Sequence, residues 1–150
     1  MIDEKDDASR GQNIKGLMTT LIALWNAEMD DARADTEFAT VRPADIRVFE
    51  QLRGRTVKLS AIHREMGFSR QAAQQAVERL VTHDMIAVTP DPDSKRDKVV
   101  TITEKGQRWR SIAAASIRSI ETEIASTIGE SAKEALREHL ITLLNATHSK

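Results

Sequence analysis

The segment SRQAAQQAVERLVTH, residues 69–83, has the pattern of an amphipathic helix. Its apolar residues recur at the spacing of one helix face, at Ala73, Ala76, Val77 and Leu80. The other face carries Arg70, Gln71, Gln74, Gln75 and Glu78. Ser69 can cap this helix by accepting a hydrogen bond from a free backbone N–H group. Such a helix has either a solvated polar face or amides that read base edges in a major groove.

The residues before this helix predict a helix-turn-helix. A helix of one to two turns is expected at 60–66, SAIHREM, with Ser60 as its N-cap and Gly67 ending it in the left-handed conformation. Phe68 is expected to be an apolar anchor before Ser69. In such a pair the second helix is the candidate for reading DNA.

A β-hairpin is predicted next. Its β-prone segments are 85–90 and 98–102, and the charged turn DPDSKRD, residues 91–97, joins them. A hairpin with a basic tip directly after a helix-turn-helix is typical of a wing. Thr103 is the expected cap of a long helix, which Gly129 ends.

Helices are also expected at 13–29, at 43–53 and from Glu130 or Ser131 onward. The segment DDARADTE, residues 30–37, reads as a polar connector, and 57–59 as a short extended piece. Pro43 and Asp45 suit the first turn of a helix that Gly54 ends. The long helix carries an isoleucine stripe that a monomer would leave bare, which predicts pairing with a second copy.

We therefore expect a mainly α fold with a small β-wing. Residues 1–11 form an acidic, disordered lead-in, and 12–150 form one domain. Within it, a winged helix-turn-helix lobe covers about 42–102, and dimerisation helices cover about 13–31 and 103–147.

Composition favours a nucleic-acid-binding protein of the cytoplasm. The chain has 150 residues and a net charge of −1, but residues 42–110 hold 14 basic and nine acidic residues, a balance of +5. There is no Cys, which excludes disulfides and thiol redox sensing. The N-terminus lacks the apolar region of a signal peptide, and no apolar run is long enough to span a membrane.

The chain resembles the MarR family of winged helix-turn-helix transcription regulators over about residues 13–146. The most specific match is DPDSKRDKVVTITEKG at 91–106, supported by VRPADIRVFEQL at 41–52 and LVTHDMIAV at 80–88. The resemblance implies a homodimer formed by the first, fifth and sixth helices. It also implies operator DNA bound by the fourth helix and the wing, and release by a small molecule.

Three positions depart from the pattern of that family. Ser94 stands where the wing commonly has Asp, although Arg96 is kept, so Asp93 or Asp97 could supply the carboxylate that anchors Arg96. Asp84 stands where Gly is usual, and Arg42 replaces a common Thr N-cap.

The candidate DNA contacts divide by chemistry. Amides read bases, the wing tip enters a minor groove, and serines at helix N-termini bind phosphates. The alternatives are a solvated charged turn and plain capping, and Arg79 contacts either phosphate or a neighbouring acid. The candidates are Ser60, Ser69, Arg70, Gln71, Gln74, Gln75, Arg79, Lys95, Arg96 and Lys98.

A small-molecule effector, such as an aromatic carboxylate, would need an aromatic wall and a cation. The alternative is that these aromatic side chains belong to the core. The effector candidates are Trp25, Arg47, Phe49, His63, Trp109 and Arg110. The expected dimer interface is Leu17, Ile117, Ile120, Ile124, Leu136, Leu140 and Leu144.

No catalytic motif, cofactor motif or metal-ligand spacing is present, and the four histidines lack suitably spaced partners. We therefore expect a protein that is not an enzyme, has no cofactor or metal, and does not associate with membranes. The expected function is a ligand-responsive repressor that binds a pseudo-palindromic double-stranded operator as a homodimer. The alternative is a winged-helix module that binds proteins without binding DNA.

Overall fold

A computed structural model describes residues 12–67 and 69–149 of the chain. The expected disordered lead-in at 1–11 and the Phe68 anchor lie outside these residues. The elements follow in the order α1 Ile14–Ala34, α2 Pro43–Gln51, β1 Val57–Lys58, α3 Leu59–Met66, α4 Arg70–Thr82, β2 Ile86–Pro90, β3 Lys98–Ile102, α5 Glu104–Ile128 and α6 Glu130–His148. The predicted fold class, mainly α with a small β-wing, is confirmed.

The chain divides into two compact units, and the boundary falls inside α5. The first unit ends at Ile112 and contains α1 to α4, the sheet and the start of α5. The second unit begins at Ala113 and contains the rest of α5 and α6.

Several helix ends form as the sequence predicts. Ser69 Oγ accepts a hydrogen bond from the Ala72 N–H at 3.1 Å, and Thr103 Oγ1 accepts one from the Gly106 N–H at 3.0 Å. Gly67 ends α3 with φ of 68°, and Gly129 separates α5 from α6 with φ of 92°. Side-chain caps supply partners to helical N–H groups that have no carbonyl in their own helix.

The predicted connector at 30–37 is wrong for residues 30–34, because α1 continues to Ala34. Arg33 Nη1 donates to Asp30 Oδ1 at 2.8 Å, an i, i+3 pair that stabilises the last turns of the helix. Arg33 is also only 6% exposed, so its long side chain packs inside the first unit.

Two predicted helix boundaries are wrong by one or two residues. Ser60 is not the N-cap of α3, because the helix begins at Leu59 and Lys58 is the cap, without a side-chain hydrogen bond. Lys58 pairs with Val99 in the sheet, so the strand leads directly into the helix. Helix α2 ends at Gln51 instead of 53, since Arg53 already has a left-handed backbone with φ of 52°.

The sheet has one more strand than the predicted hairpin. Its order is β1-β3-β2 and all pairings are antiparallel, with Val57 and Val88 both opposite Val100. The sequence predicts only a short extended piece at 57–59, and the structure pairs Val57 and Lys58 of that piece with β3. Val100 is fully buried between its two neighbours, so β3 is the central strand of the sheet.

Asp84 adopts the left-handed backbone that usually favours glycine, with φ of 57°. The Asp84 N–H donates to Val81 O at 2.9 Å, and the Met85 N–H donates to Leu80 O at 3.0 Å. This pair of bonds is the Schellman motif, which ends a helix through one left-handed residue. It turns the chain from α4 into β2.

The core of the first unit lies where α2, α4, the sheet and the start of α5 bury their apolar side chains. Trp109 contacts Phe38 edge to face, with ring centroids 5.4 Å apart. Helix α4 packs against α2, α3 and β2 through the alanine-rich face that the sequence predicts. All four residues of that face are buried: Ala73, Ala76, Val77 and Leu80.

Candidate nucleic-acid interface

Helix α3, helix α4 and the wing enclose a cleft of about 1000 Å³, which we call the α4–wing cleft. The wing consists of β2, β3 and the loop 91–97 between them. Basic side chains from all three elements line the cleft, namely Arg64, Arg70, Arg96 and Lys98. Two carboxylates, Glu78 and Asp97, also line it, so the basic residues outnumber the acidic ones. A cleft lined mainly by one sign of charge concentrates the opposite charge.

Half of the predicted DNA contacts meet in this cleft. The five that line it are Ser60, Arg70, Gln74, Arg96 and Lys98. The other five, Ser69, Gln71, Gln75, Arg79 and Lys95, do not line it. Gln71, Gln75 and Lys95 are nevertheless exposed, so they are open to a ligand that extends beyond the cleft.

The polar face of α4 has few internal partners. Gln74 Nε2 donates to Glu78 Oε1 at 3.4 Å, a long bond between exposed side chains. In the described part of the chain, the side chains of Arg70, Gln71 and Gln75 have no hydrogen bond or ion pair. Their donors and acceptors are therefore free to bind another molecule.

The wing loop is held by side chains that accept hydrogen bonds from its backbone N–H groups, and not by an ion pair to Arg96. Asp91 is buried, and its Oδ1 accepts a bond from the Asp93 N–H at 2.9 Å. Ser94 Oγ accepts bonds from the N–H groups of Arg96 and Asp97, both at 3.3 Å. Within the described residues, neither Asp93 nor Asp97 pairs with the Arg96 guanidinium, so the expected anchor is not formed.

Arg79 pairs with an acid, which is one of its two predicted alternatives. Its Nε donates to Asp45 Oδ2 at 2.8 Å and its Nη2 donates to Asp45 Oδ1 at 3.0 Å. The Asp45 side chain is 1% exposed, whereas that of Arg79 is 38% exposed. The hydrogen bonds to Asp45 raise the pKa of Arg79 above its ordinary value. This pair fixes α4 to α2, and the sequence assigned Asp45 only a role in its own helix.

Two polar side chains of α3 that line the α4–wing cleft are not among the predicted DNA contacts. Arg64 lies on α3, and His63, which was assigned to the effector site, lies beside it in the same cleft. Their positions in the sequence could have indicated this. Both follow Ser60 by about one turn, on a short helix directly before α4.

The six effector candidates do not line one cavity. Phe49 and Trp109 are each 1% exposed and belong to the core. Arg47 pairs with Asp30 at 3.3 Å, and Arg110 Nη1 donates to Gln107 Oε1 at 3.0 Å. Trp25 is half-buried. The cavity beside Trp109 and Arg47 offers only about 10 Å³ to the centre of a water molecule.

The predicted interface residues differ in exposure. In the first unit, Leu17 is 44% exposed. In the second unit, Ile117, Leu136 and Leu144 are exposed, and Ile124 and Leu140 are partly exposed. Ile120 is 8% exposed in the single chain, so its expected burial does not require a partner.

Residues 12–67 and 69–149 contain neither a metal-ligand cluster nor a membrane-spanning helix. No group of three or more His, Asp or Glu side chains could hold a metal ion. None of the helices in that part of the chain is long and apolar enough to cross a membrane.

Comparison with known proteins gives matches among solved structures only. No family model and no curated protein matches the chain. FabT from Streptococcus pneumoniae, solved in complex with DNA, is 12% identical, with a TM-score of 0.75 over 92% of this chain and 97% of that one. RV1404 from Mycobacterium tuberculosis is 19% identical, with a TM-score of 0.71 over 97% of both chains.

A transcriptional regulator of the MarR family from Rhodococcus sp. RHA1 is also similar. It is 19% identical, with a TM-score of 0.67 over 95% of this chain and 96% of that one. Likeness at such low identity concerns the fold. The chain therefore has the winged helix-turn-helix fold of MarR-family transcription regulators.

Proposed function

We propose that the protein is a sequence-specific DNA-binding transcription regulator. The observation that carries this proposal is the α4–wing cleft, where basic side chains from α3, α4 and the wing lie around the exposed amide of Gln74, with Gln71 and Gln75 exposed outside it. A similar structure, that of FabT, was solved in complex with DNA. Phosphate attraction and base reading are both needed for specific binding, and this surface offers groups for each.

The contacts follow from side-chain chemistry. Gln71, Gln74 and Gln75 would read base edges, because an amide can bind adenine through two hydrogen bonds. Arg96 would enter the minor groove, where narrow A·T-rich segments attract arginine. Ser60 and Arg70, which line the same cleft, would bind phosphates.

The protein would act as a homodimer on a pseudo-palindromic site in the cytoplasm. Apolar side chains are exposed on α1 in the first unit, Leu17, Leu21 and Leu24 among them. The second unit exposes Ile117, Leu136 and Leu144. Burying a large aliphatic side chain is worth roughly 1.5–3 kcal/mol, so a second copy covering these residues would be strongly held. Two copies present two reading helices about one DNA turn apart.

Such a dimer would repress by occupying a site that polymerase needs. A small aromatic carboxylate is our proposal for the effector. Phe49 and Trp109 are buried in the core. Arg47 already pairs with Asp30, so a ligand carboxylate that binds Arg47 would have to displace Asp30. A competing proposal is a module that binds proteins with the same fold and does not bind DNA.

The test is binding of the full chain to the DNA upstream of its own gene at a series of salt concentrations. A DNA-binding protein should give a saturable, sequence-selective complex whose affinity falls steeply with salt. Arg96→Ala should weaken it by about 1–3 kcal/mol while the fold persists.

Arg118→Ala is the matched control, because Arg118 is an exposed arginine in the second unit with no side-chain partner in the described residues. It should bind like the wild type. Absence of a selective complex at moderate salt would favour the protein-binding alternative, and full affinity of Arg96→Ala would show that the wing does not reach the groove.

A further inference from the structure

Three buried polar atoms in the described residues have no hydrogen-bond partner, and they share one location. They are Arg33 Nε, Glu50 Oε1 and Trp109 Nε1. Their residues belong to α1, α2 and α5, yet all three line the same small cavity. Arg33 and Trp109 are each more than nine-tenths buried. Buried polar groups are normally paired, so three such atoms around one cavity indicate that they share a small polar partner.

The size of the cavity limits what that partner is. About 10 Å³ is open to the centre of a water molecule, which is room for one water and for no larger ligand. The Nε–H of Arg33 and the Nε1–H of Trp109 are donors, and Glu50 Oε1 is an acceptor. A single water can accept two hydrogen bonds and donate one, which matches these three groups. A metal cation would meet the Arg33 guanidinium, and an anion would meet the Glu50 carboxylate.

We propose that one ordered water occupies this cavity, accepts hydrogen bonds from Arg33 and Trp109, and donates one to Glu50. The water would join α1, α2 and α5 inside the first unit. Nothing in this proposal depends on DNA binding, so it stands or fails separately from the proposed function.

The charges around Glu50 make the site sensitive to its protonation. On α1 it faces Asp30 and Arg33, and on α2 it faces Arg47, whereas α5 contributes the uncharged Trp109. Burial raises the pKa of Glu50 above its usual value, and Arg47 partly opposes that shift. Protonation of Glu50 changes the charge of the group that accepts from the water, so the Trp109 N–H should register it.

The experiment is NMR of the full chain labelled with ¹⁵N at tryptophan. The chain has two tryptophans, so Trp25→Phe assigns the Trp109 indole resonance. A rotating-frame Overhauser spectrum should give a cross peak from the Trp109 N–H to water with the sign of a bound water, opposite to that of hydrogen exchange. The Trp109 shift should also change with pH as Glu50 is protonated, at a pH above the usual pKa of a glutamate because burial raises the pKa of Glu50.

Three variants sharpen the outcome. Glu50→Gln keeps an acceptor, so it should keep the water peak and lose the titration. Glu50→Leu removes the acceptor and should lose the peak. Glu138→Gln, on an exposed face of α6, should change neither. A Trp109 N–H without a bound-water peak in the wild type, or a crystal structure with Glu50 bonded directly to Arg33 or Trp109, would overturn the proposal.

Discussion

Replacing Arg79 should reduce the free energy of unfolding more than replacing Asp45, although the two residues form one ion pair. Arg79→Gln leaves the Asp45 carboxylate, 1% exposed, without its cationic partner. Breaking a buried pair in this way costs about 3–5 kcal/mol, and the partial exposure of Arg79 places this case near the lower end. Asp45→Asn should cost less, because the guanidinium left behind is 38% exposed and water can replace the lost acceptor. Urea unfolding measures both losses.

The control for this comparison is Arg108→Gln. Arg108 makes the same two-bond contact with Glu37, at 2.8 and 3.4 Å, but both side chains are exposed. Exposed pairs contribute little to stability, so this variant should unfold nearly as the wild type does. If Arg79→Gln is no more destabilised than Arg108→Gln, or less destabilised than Asp45→Asn, the assumption that burial of Asp45 sets the cost is refuted.

Three further predictions concern reading, assembly and the turn into the wing. Gln71→Ala should reduce the ratio of operator affinity to random-DNA affinity in competition binding, because an amide adds little to phosphate attraction; equal losses on both DNAs would contradict this. Leu17→Lys should make the protein sediment as a monomer and weaken operator binding, since a charge in the proposed seam has no partner; an intact dimer would place the interface elsewhere. Asp84→Gly should raise the free energy of unfolding by about 0.5 kcal/mol, because relief of the left-handed backbone exceeds the added chain entropy; a loss in urea unfolding would be the contrary result.

The parts of the fold that depend on local chemistry could be predicted from the sequence. The buried face of α4 follows from apolar spacing, and its start at Ser69 follows from capping. Gly67 and Thr103 mark element ends for equally local reasons. Each of these requires only residues within one or two turns of each other.

The errors arise where a distant segment decides the outcome. Ser60 has the side chain of an N-cap, but β1 ends at Lys58, which pairs with Val99, and α3 begins directly after it at Leu59. Asp45 fits a first turn by charge alone, whereas its partner Arg79 lies 34 residues further on. No spacing rule within a helix reports a contact of that length.

In the candidate site, too, some features could be predicted from the sequence and others could not. Three of the four basic residues of the cleft, Arg70, Arg96 and Lys98, could be predicted, because a hairpin that follows a helix-turn-helix folds beside it; Arg64 was missed. The effector site could not be predicted, because aromatic residues at helical spacing look the same whether they line a pocket or fill a core. Trp109 and Phe49 fill the core.

The wing loop has Ser94 where the family pattern has an acid, and this difference affects the free energy with which Arg96 would bind DNA. With Ser94 in place of an acid, the loop is held by side-chain bonds to backbone N–H groups, and the Arg96 guanidinium is left without a carboxylate in the described residues. An unpaired arginine keeps its rotamer freedom until it binds, and ordering it costs roughly 0.5–1.5 kcal/mol. It also has no internal ion pair to break and no carboxylate bonded to it to repel phosphate. The shape of the loop is therefore fixed while its cation is free, an arrangement suited to a contact formed only when the groove is present.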